Sequence, residues 1–276
     1  MNAPMQEEHQ HLPNTDRLSV LAASILLAYA LLPFVNIPER DLVLRLLGVV
    51  FVFRVNFSTI IALIGAGLAA AGTDWLLRDH PHLGKQRTFQ HWLIPALTAW
   101  VIDVPLSSLA VSLQWWAVLG FGGVLLVLVL VSEYIVVDPA DSRHAVATVG
   151  LTAVSYALFL ILVIALAGAE MRLYLLLPAL FMAIFLVTLR SLYLRLGGRW
   201  CIAWSLAIAM AVAQAAAALH YWPLSPLRYG LVLLGLAYAL ASVAGSVEEG
   251  RPWQTLWIEP VLMLVALWGL AIGLRG

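Results

Sequence analysis

The chain has almost no lysine and almost no cysteine: of its 276 residues, only Lys85 carries a side-chain amine and only Cys201 a thiol. A single cysteine forms no internal disulfide and rules out cysteine-rich zinc or iron–sulfur ligation. A lone loop lysine also excludes a retinal Schiff base within a helix. Charge is scarce as well, at 11% of residues, against about 25% in an ordinary soluble domain. The fifteen cations balance the fifteen anions, so the formal net charge is zero. Nothing in that balance draws the chain to nucleic acid or to acidic partners. Signatures that membrane enzymes need are missing too. There is no Gly-x-Ser-x-Gly elbow, His-Glu-x-x-His, Walker loop or tandem Asp-rich motif. The pair Glu248-Glu249 lies too close to Arg251 for the spaced glutamate and arginine motif of intramembrane prenyl-protein peptidases. No residue set points to a cofactor, and none carries the signature of a known family.

What the chain has is apolar surface, with 63% hydrophobic residues and a mean hydropathy of +0.94. A helix crossing a hydrocarbon core of about 30 Å needs roughly 20 mostly apolar residues. Nine runs of that kind are expected to span, near 18–37, 56–77, 92–112, 115–137, 144–168, 172–195, 199–221, 227–247 and 253–274. The expected fold is an all-α integral membrane protein, a polytopic bundle of about nine transmembrane helices. Between the first two spans, Leu42 to Phe53 is apolar but interrupted by Arg45 and closed by Arg54. At about 1.5 Å per residue it is too short to cross, and it reads as a half-helix or interfacial segment. Residues 1–16 read as a disordered tail preceding a single transmembrane domain over 17–276. The first span continues past a normal signal-peptide core and lacks a small-x-small site, so it reads as a retained helix.

Cations concentrate in cytoplasmic loops. If 42–55 does not cross, nine fall on one side (Arg17, Arg78, Lys85, Arg87, Arg143, Arg190, Arg195, Arg199 and Arg251) and five on the other (Arg40, Arg45, Arg172, Arg228 and Arg275). That bias puts the N-terminus in the cytoplasm of a prokaryotic-type cell membrane. Arg78, Lys85 and Arg87 are expected to contact anionic lipid headgroups, each contributing about 1 kcal/mol. The bilayer is the first expected partner, and a membrane-protein partner subunit the second.

The eight spans from 56 onward divide into 56–168 and 172–274. Arg78 and Arg190 are 112 residues apart, as are Arg87 and Arg199, and Asp103 aligns with Gln214 at 111. This is the pattern of a parallel four-helix repeat, or simply of two stretches on which the membrane imposes the same basic and aromatic positions.

An ionisable side chain at a helix centre costs about 2.5–3.5 kcal/mol on translocon scales and needs a partner or a purpose. Asp103, midway along 92–112 and two residues before Pro105, is the clearest. It reads as a protonatable or cation-binding carboxylate lining a cavity, as one half of a structural ion pair, for example with Arg45 or Arg54, or as a neutral buried acid hydrogen-bonded to the backbone that Pro105 frees. Glu259 and Glu133 read as carboxylates reaching the interface. Arg54 and Asn56, with Ser58 and Thr59, mark either a broken helix offering its N-terminus to an anion or an ordinary cap. His80, His82 and His91 share a basic loop with Asp79 and read as solvated. Two stripes of small residues, Ser58-Ala62-Gly65 or Ala66-Ala69-Gly72 and Ala203-Ala207-Ala211-Ala215, read as close-packing faces of central helices. Three classes of function fit: a permease-like protein for a small solute, ion or lipid; a non-catalytic assembly or scaffold subunit; and, third, a lipid-modifying membrane enzyme.

Overall fold

In the computed structural model the described residues are 13–35, 40–46, 49–55, 57–78, 80–81, 83, 88–169 and 172–274; nothing is described of the side chains of 40–46, 49–55 and 57–59. The fold is an all-α polytopic bundle. Its helices are α1 (Thr15–Ala30), α2 (Phe57–Leu77), α3 (Leu93–Ser108), α4 (Leu113–Val136), α5 (His144–Gly168), α6 (Leu173–Arg195), α7 (Ile202–Leu219), α8 (Pro226–Glu248), α9 (Trp253–Leu256) and α10 (Ile258–Gly273). Among the described residues, eight segments are long and apolar enough to cross a membrane, α1 counted with the turn that follows it and α9 with α10. Eight of the nine expected runs are therefore found. The ninth, at 92–112, is the 16-residue α3, about 24 Å long at 1.5 Å per residue, shorter than a hydrocarbon core.

The segment expected to be a half-helix is instead a β-hairpin. Strand β1 (Arg40–Leu46) pairs antiparallel with β2 (Val49–Val55), in a register that puts Val43 opposite Val52 and Leu46 opposite Val49. Periodicity could not distinguish these states in so short an apolar run. The β-branched and aromatic Val-Val-Phe-Val-Phe of β2 favours a strand. Two strands with open edges cannot cross lipid, because the edge amides and carbonyls would go unsatisfied there.

Two compact units divide the chain. The first comprises 1–99 and 119–149. In it α1 starts on Asn14, whose side chain accepts hydrogen bonds from the amides of Asp16 and Arg17. Helix α1 packs on α2 along the small-residue face expected from the sequence. A Cβ added at Gly72 would lie 2.0 Å from Leu21 Cδ1, and one at Gly65 would lie 2.8 Å from the Tyr29 hydroxyl. That hydroxyl donates to the Ala99 carbonyl at 2.6 Å.

The second unit comprises 100–118 and 150–276, with α6 packed on α7, α7 on α8, and α8 on α10. Here the second small-residue stripe is corrected: Ala203 and Ala207 are exposed, and α7 buries Ser205, Ile208, Ala209, Val212 and Ala216 instead. Alanines lie on every face of α7, so their spacing alone did not determine its inward face. Helices α6 and α8 end in glycine stops. The amide of Gly198 donates to the Tyr193 carbonyl (2.9 Å) and that of Arg251 to Ser246 (3.1 Å). Gly197, at φ 61°, and Gly250, at φ 68°, take the left-handed turn that such a C-terminal motif requires.

Candidate functional site

Asp103 is buried, 8% exposed, on α3. Two residues on, Pro105 takes one amide out of the helix. Gln214, its counterpart in the expected repeat, is exposed on α7. Glu259 is exposed at the start of α10 and accepts a hydrogen bond from the Tyr238 hydroxyl at 2.9 Å, with the Tyr156 ring edge-on to Tyr238 at 5.4 Å. The carboxylate sits where the positive end of the helix dipole favours it. Arg54 lies in β2 opposite Asp41 in the register, not at a helix break. Asn56, Lys85 and Arg87 lie outside the described residues, as do the side chains of Arg54 and Ser58. Arg78 is paired with Asp74 at 2.7 Å, one helical turn away, and Thr88 also donates to Asp74.

Arg190, counted from the sequence as a loop cation, is 0% exposed within α6, its guanidinium 5.4 Å over the Tyr193 ring. Little in the sequence signals this burial. Arg190 sits in the last turns of an apolar run, where the arginines that follow mark the boundary.

In the first unit, a buried pair stands where solvated groups were expected. His91 Nδ1 lies 2.7 Å from Glu133 Oε2, and both side chains are nearly or fully buried. His80 is buried edge-on to Tyr134 at 4.5 Å. Of the turn Phe89–His91, Phe89 is exposed while His91 turns inward to Glu133 on α4. Interior charges of this sort persist only when paired and hydrogen-bonded. His82 and Asp79 lie outside the described residues. Among the described residues, no group of three His, Cys, Asp or Glu is placed to hold a metal ion.

The second unit gathers polar groups at both ends of its parallel helices α6 and α8. At their C-terminal ends Arg195 grips Glu249 with both prongs, Nε to Oε1 at 2.6 Å and Nη2 to Oε2 at 3.2 Å, and Nη2 also donates to Ser246 Oγ at 3.0 Å. Arg251 closes on the same carboxylate at 2.6 Å. The Trp204 indole donates to Glu248 at 2.9 Å, with Arg199 at 3.5 Å. Arg195 lies directly on α8 because residue 245 is glycine; a Cβ there would be 2.8 Å from its Cδ. The Arg195 hydrogen bond is the main force holding the Glu249 carboxyl below its ordinary range, against partial burial. Burial pushes the Cys201 thiol up, and the Glu248 charge acts in the same direction. The glycines that end α6 and α8 were the available sequence signal for this clasp, because they fix where both helices stop.

At the N-terminal ends of α6 and α8 the unit is open. A crevice of about 700 Å³ is lined by Arg172, Leu173 and Tyr174 from the start of α6, by Pro226 and Tyr229 from α8, and by the turn carrying His220, Tyr221 and Trp222. No side chain caps either helix start. Among the described residues the lining holds a cation, Arg172, and no carboxylate.

Long apolar helices, interior ionisable groups and short connections define the class: a polytopic integral membrane protein. Within that class, residues 37–274 match the family described as Protein of unknown function (DUF5656), and the chain belongs to it. No curated protein and no solved structure matches the chain.

Proposed function

We propose that the protein is permease-like and moves a small solute, ion or lipid across the membrane. The observation that carries this reading is the burial of Arg190 within the membrane-spanning α6 and of Asp103 within the shorter apolar helix α3. Charges placed inside a bundle rather than at its lipid face mark substrate or ion routes by default. With 92–112 counted as a ninth crossing, the cation distribution favours a cytoplasmic N-terminus even with buried Arg190 removed from the count. On that orientation, the Arg195–Glu249 end of the second unit faces the cytoplasm and the crevice faces outward.

The test is flux in reconstituted vesicles. One set contains a trapped pH-sensitive dye for ion flux, and a second contains fluorescent phosphatidylglycerol with external dithionite for lipid flux. Wild-type protein should accelerate at least one of these over protein-free vesicles, and Asp103→Asn should slow it at least tenfold. Flux equal to that of protein-free vesicles, or unchanged in Asp103→Asn, overturns the proposal.

The second reading is an assembly or scaffold subunit. It is favoured by the α9–α10 segment, only 17% of which is buried and whose Leu262, Val265 and Ile272 are exposed. That reading predicts no flux and migration as a larger complex from native membranes in mild detergent.

A further inference from the structure

The crevice at the N-terminal ends of α6 and α8 has a composition that the rest of the fold does not require. Its walls include Leu166, Leu173, Leu176, Leu219 and Leu224, and its polar side chains include Arg172, His220 and Tyr174. Arg172 is exposed, and no ion-pair partner holds its guanidinium among the described residues, unlike Arg195 at the other end. On the first turn of α8, the buried Nε of Arg228 lacks a hydrogen-bond partner. The C-termini of α5 and α7 reach the same place, so their carbonyl ends offset the dipoles of the two helix starts. The sign of the site is therefore set by arginine, not by the helices.

Level is set by aromatics. Tyr221 is 82% exposed and Trp222 65% exposed, at the end of an apolar span, where such rings sit among lipid headgroups. A site at that depth, apolar on its walls and cationic at its rim, matches an amphiphile better than a free solute. We infer that this crevice binds the phosphate headgroup of an anionic lipid, with Arg172 and His220 taking the phosphate and the leucine walls taking the first part of the chains. Arginine suits this role because its planar fork meets phosphate through two parallel hydrogen bonds. Binding here does not depend on translocation, so the two proposals can fail separately.

The experiment measures lipid retained by the full-length protein in detergent, using native mass spectrometry with dioleoyl-phosphatidylglycerol as probe. Parallel arms use glycerol phosphate, inorganic phosphate and dioleoylglycerol as competitors. Wild-type protein should retain the lipid, with Arg172→Ala reducing retention about tenfold and Arg172→Lys by less. Dioleoylglycerol and inorganic phosphate should each compete poorly. Ala167→Trp, which narrows the crevice from the end of α5 and leaves Arg172 in the sequence, should also reduce retention and covers the case in which Arg172→Ala fails to fold. Retention unchanged in both Arg172→Ala and Ala167→Trp overturns the inference. Full competition by inorganic phosphate would make the crevice a free-phosphate site, and full competition by dioleoylglycerol a simple apolar slot; either overturns the lipid assignment.

Discussion

The two ends of helices α6 and α8 differ in one respect that matters: at one end every charge described is engaged, and at the other the cation is not. The closed end joins Arg195, Glu249 and Arg251 in contacts of 2.6 Å, locked by glycine stops and by the bare backbone at Gly245. The open end leaves Arg172 exposed over a crevice with uncapped helix starts. Paired charge fixes neighbouring helices to one another, while exposed charge beside a cavity is available to a ligand. The difference teaches that equal numbers of polar residues at two ends of a helix pair can serve opposite purposes.

The sharpest way to break this comparison concerns sidedness, where the effect is all or none. In a Cys201→Ser background, Tyr221→Cys should react with an impermeant thiol reagent on intact cells, and an impermeant amine reagent should leave Lys85 unmodified. The reverse pattern would exchange the inner and outer ends. Next in size is Glu249→Ala, which strips Arg195 of its carboxylate. Losing a charge-assisted hydrogen-bonded partner costs about 1.5–3 kcal/mol, seen as a lower Tm in detergent. Gly245→Ala should lower Tm less. The new Cβ displaces Arg195, while the better helix propensity of alanine returns up to about 1 kcal/mol.

Acid should weaken the closed end. Because the folded pKa of Glu249 is lowered, its stabilisation is fully present above the ordinary carboxylate pKa of about 4.3. It fades as pH falls through the lowered folded value. The acid-induced drop in Tm should therefore be smaller in Glu249→Gln. The smallest effects separate the ends most clearly. Arg199→Ala removes an exposed pair at 3.5 Å and should change stability by no more than about 0.5 kcal/mol. Arg172→Ala should leave Tm unchanged while reducing lipid retention as above. A large Tm loss in Arg172→Ala would show that the open end is a second structural clasp.

Most of the helices were legible because each satisfies its own backbone hydrogen bonds, and a local count of apolar residues suffices to find them. Their boundaries are close to those expected, as at 144–168, which is α5 itself. The close-packed face of α2 was legible for a related reason, since its glycines alternate with bulkier exposed side chains. The hairpin was not, because seven-residue apolar runs suit strand and helix alike. Of the candidate site, Asp103 was found by its charge in an apolar run, whereas Arg190, His91 and Glu133 were assigned to loops or boundaries although they are buried. Charge near a span end gives no local indication of whether it points to water or to a neighbour.

By itself, the sequence determined that this chain lives in a membrane, where most helices begin and end, and that its cations are unevenly distributed along it. Those properties follow from the transfer cost of each segment, a sum over adjacent residues. Only the tertiary structure decided which alanines face inward, that His91 meets Glu133, that Arg195 closes on Glu249, and that Arg172 is left beside an open crevice. Those outcomes depend on which helices become neighbours, because a buried charge is tolerable only where a distant part of the chain supplies its partner.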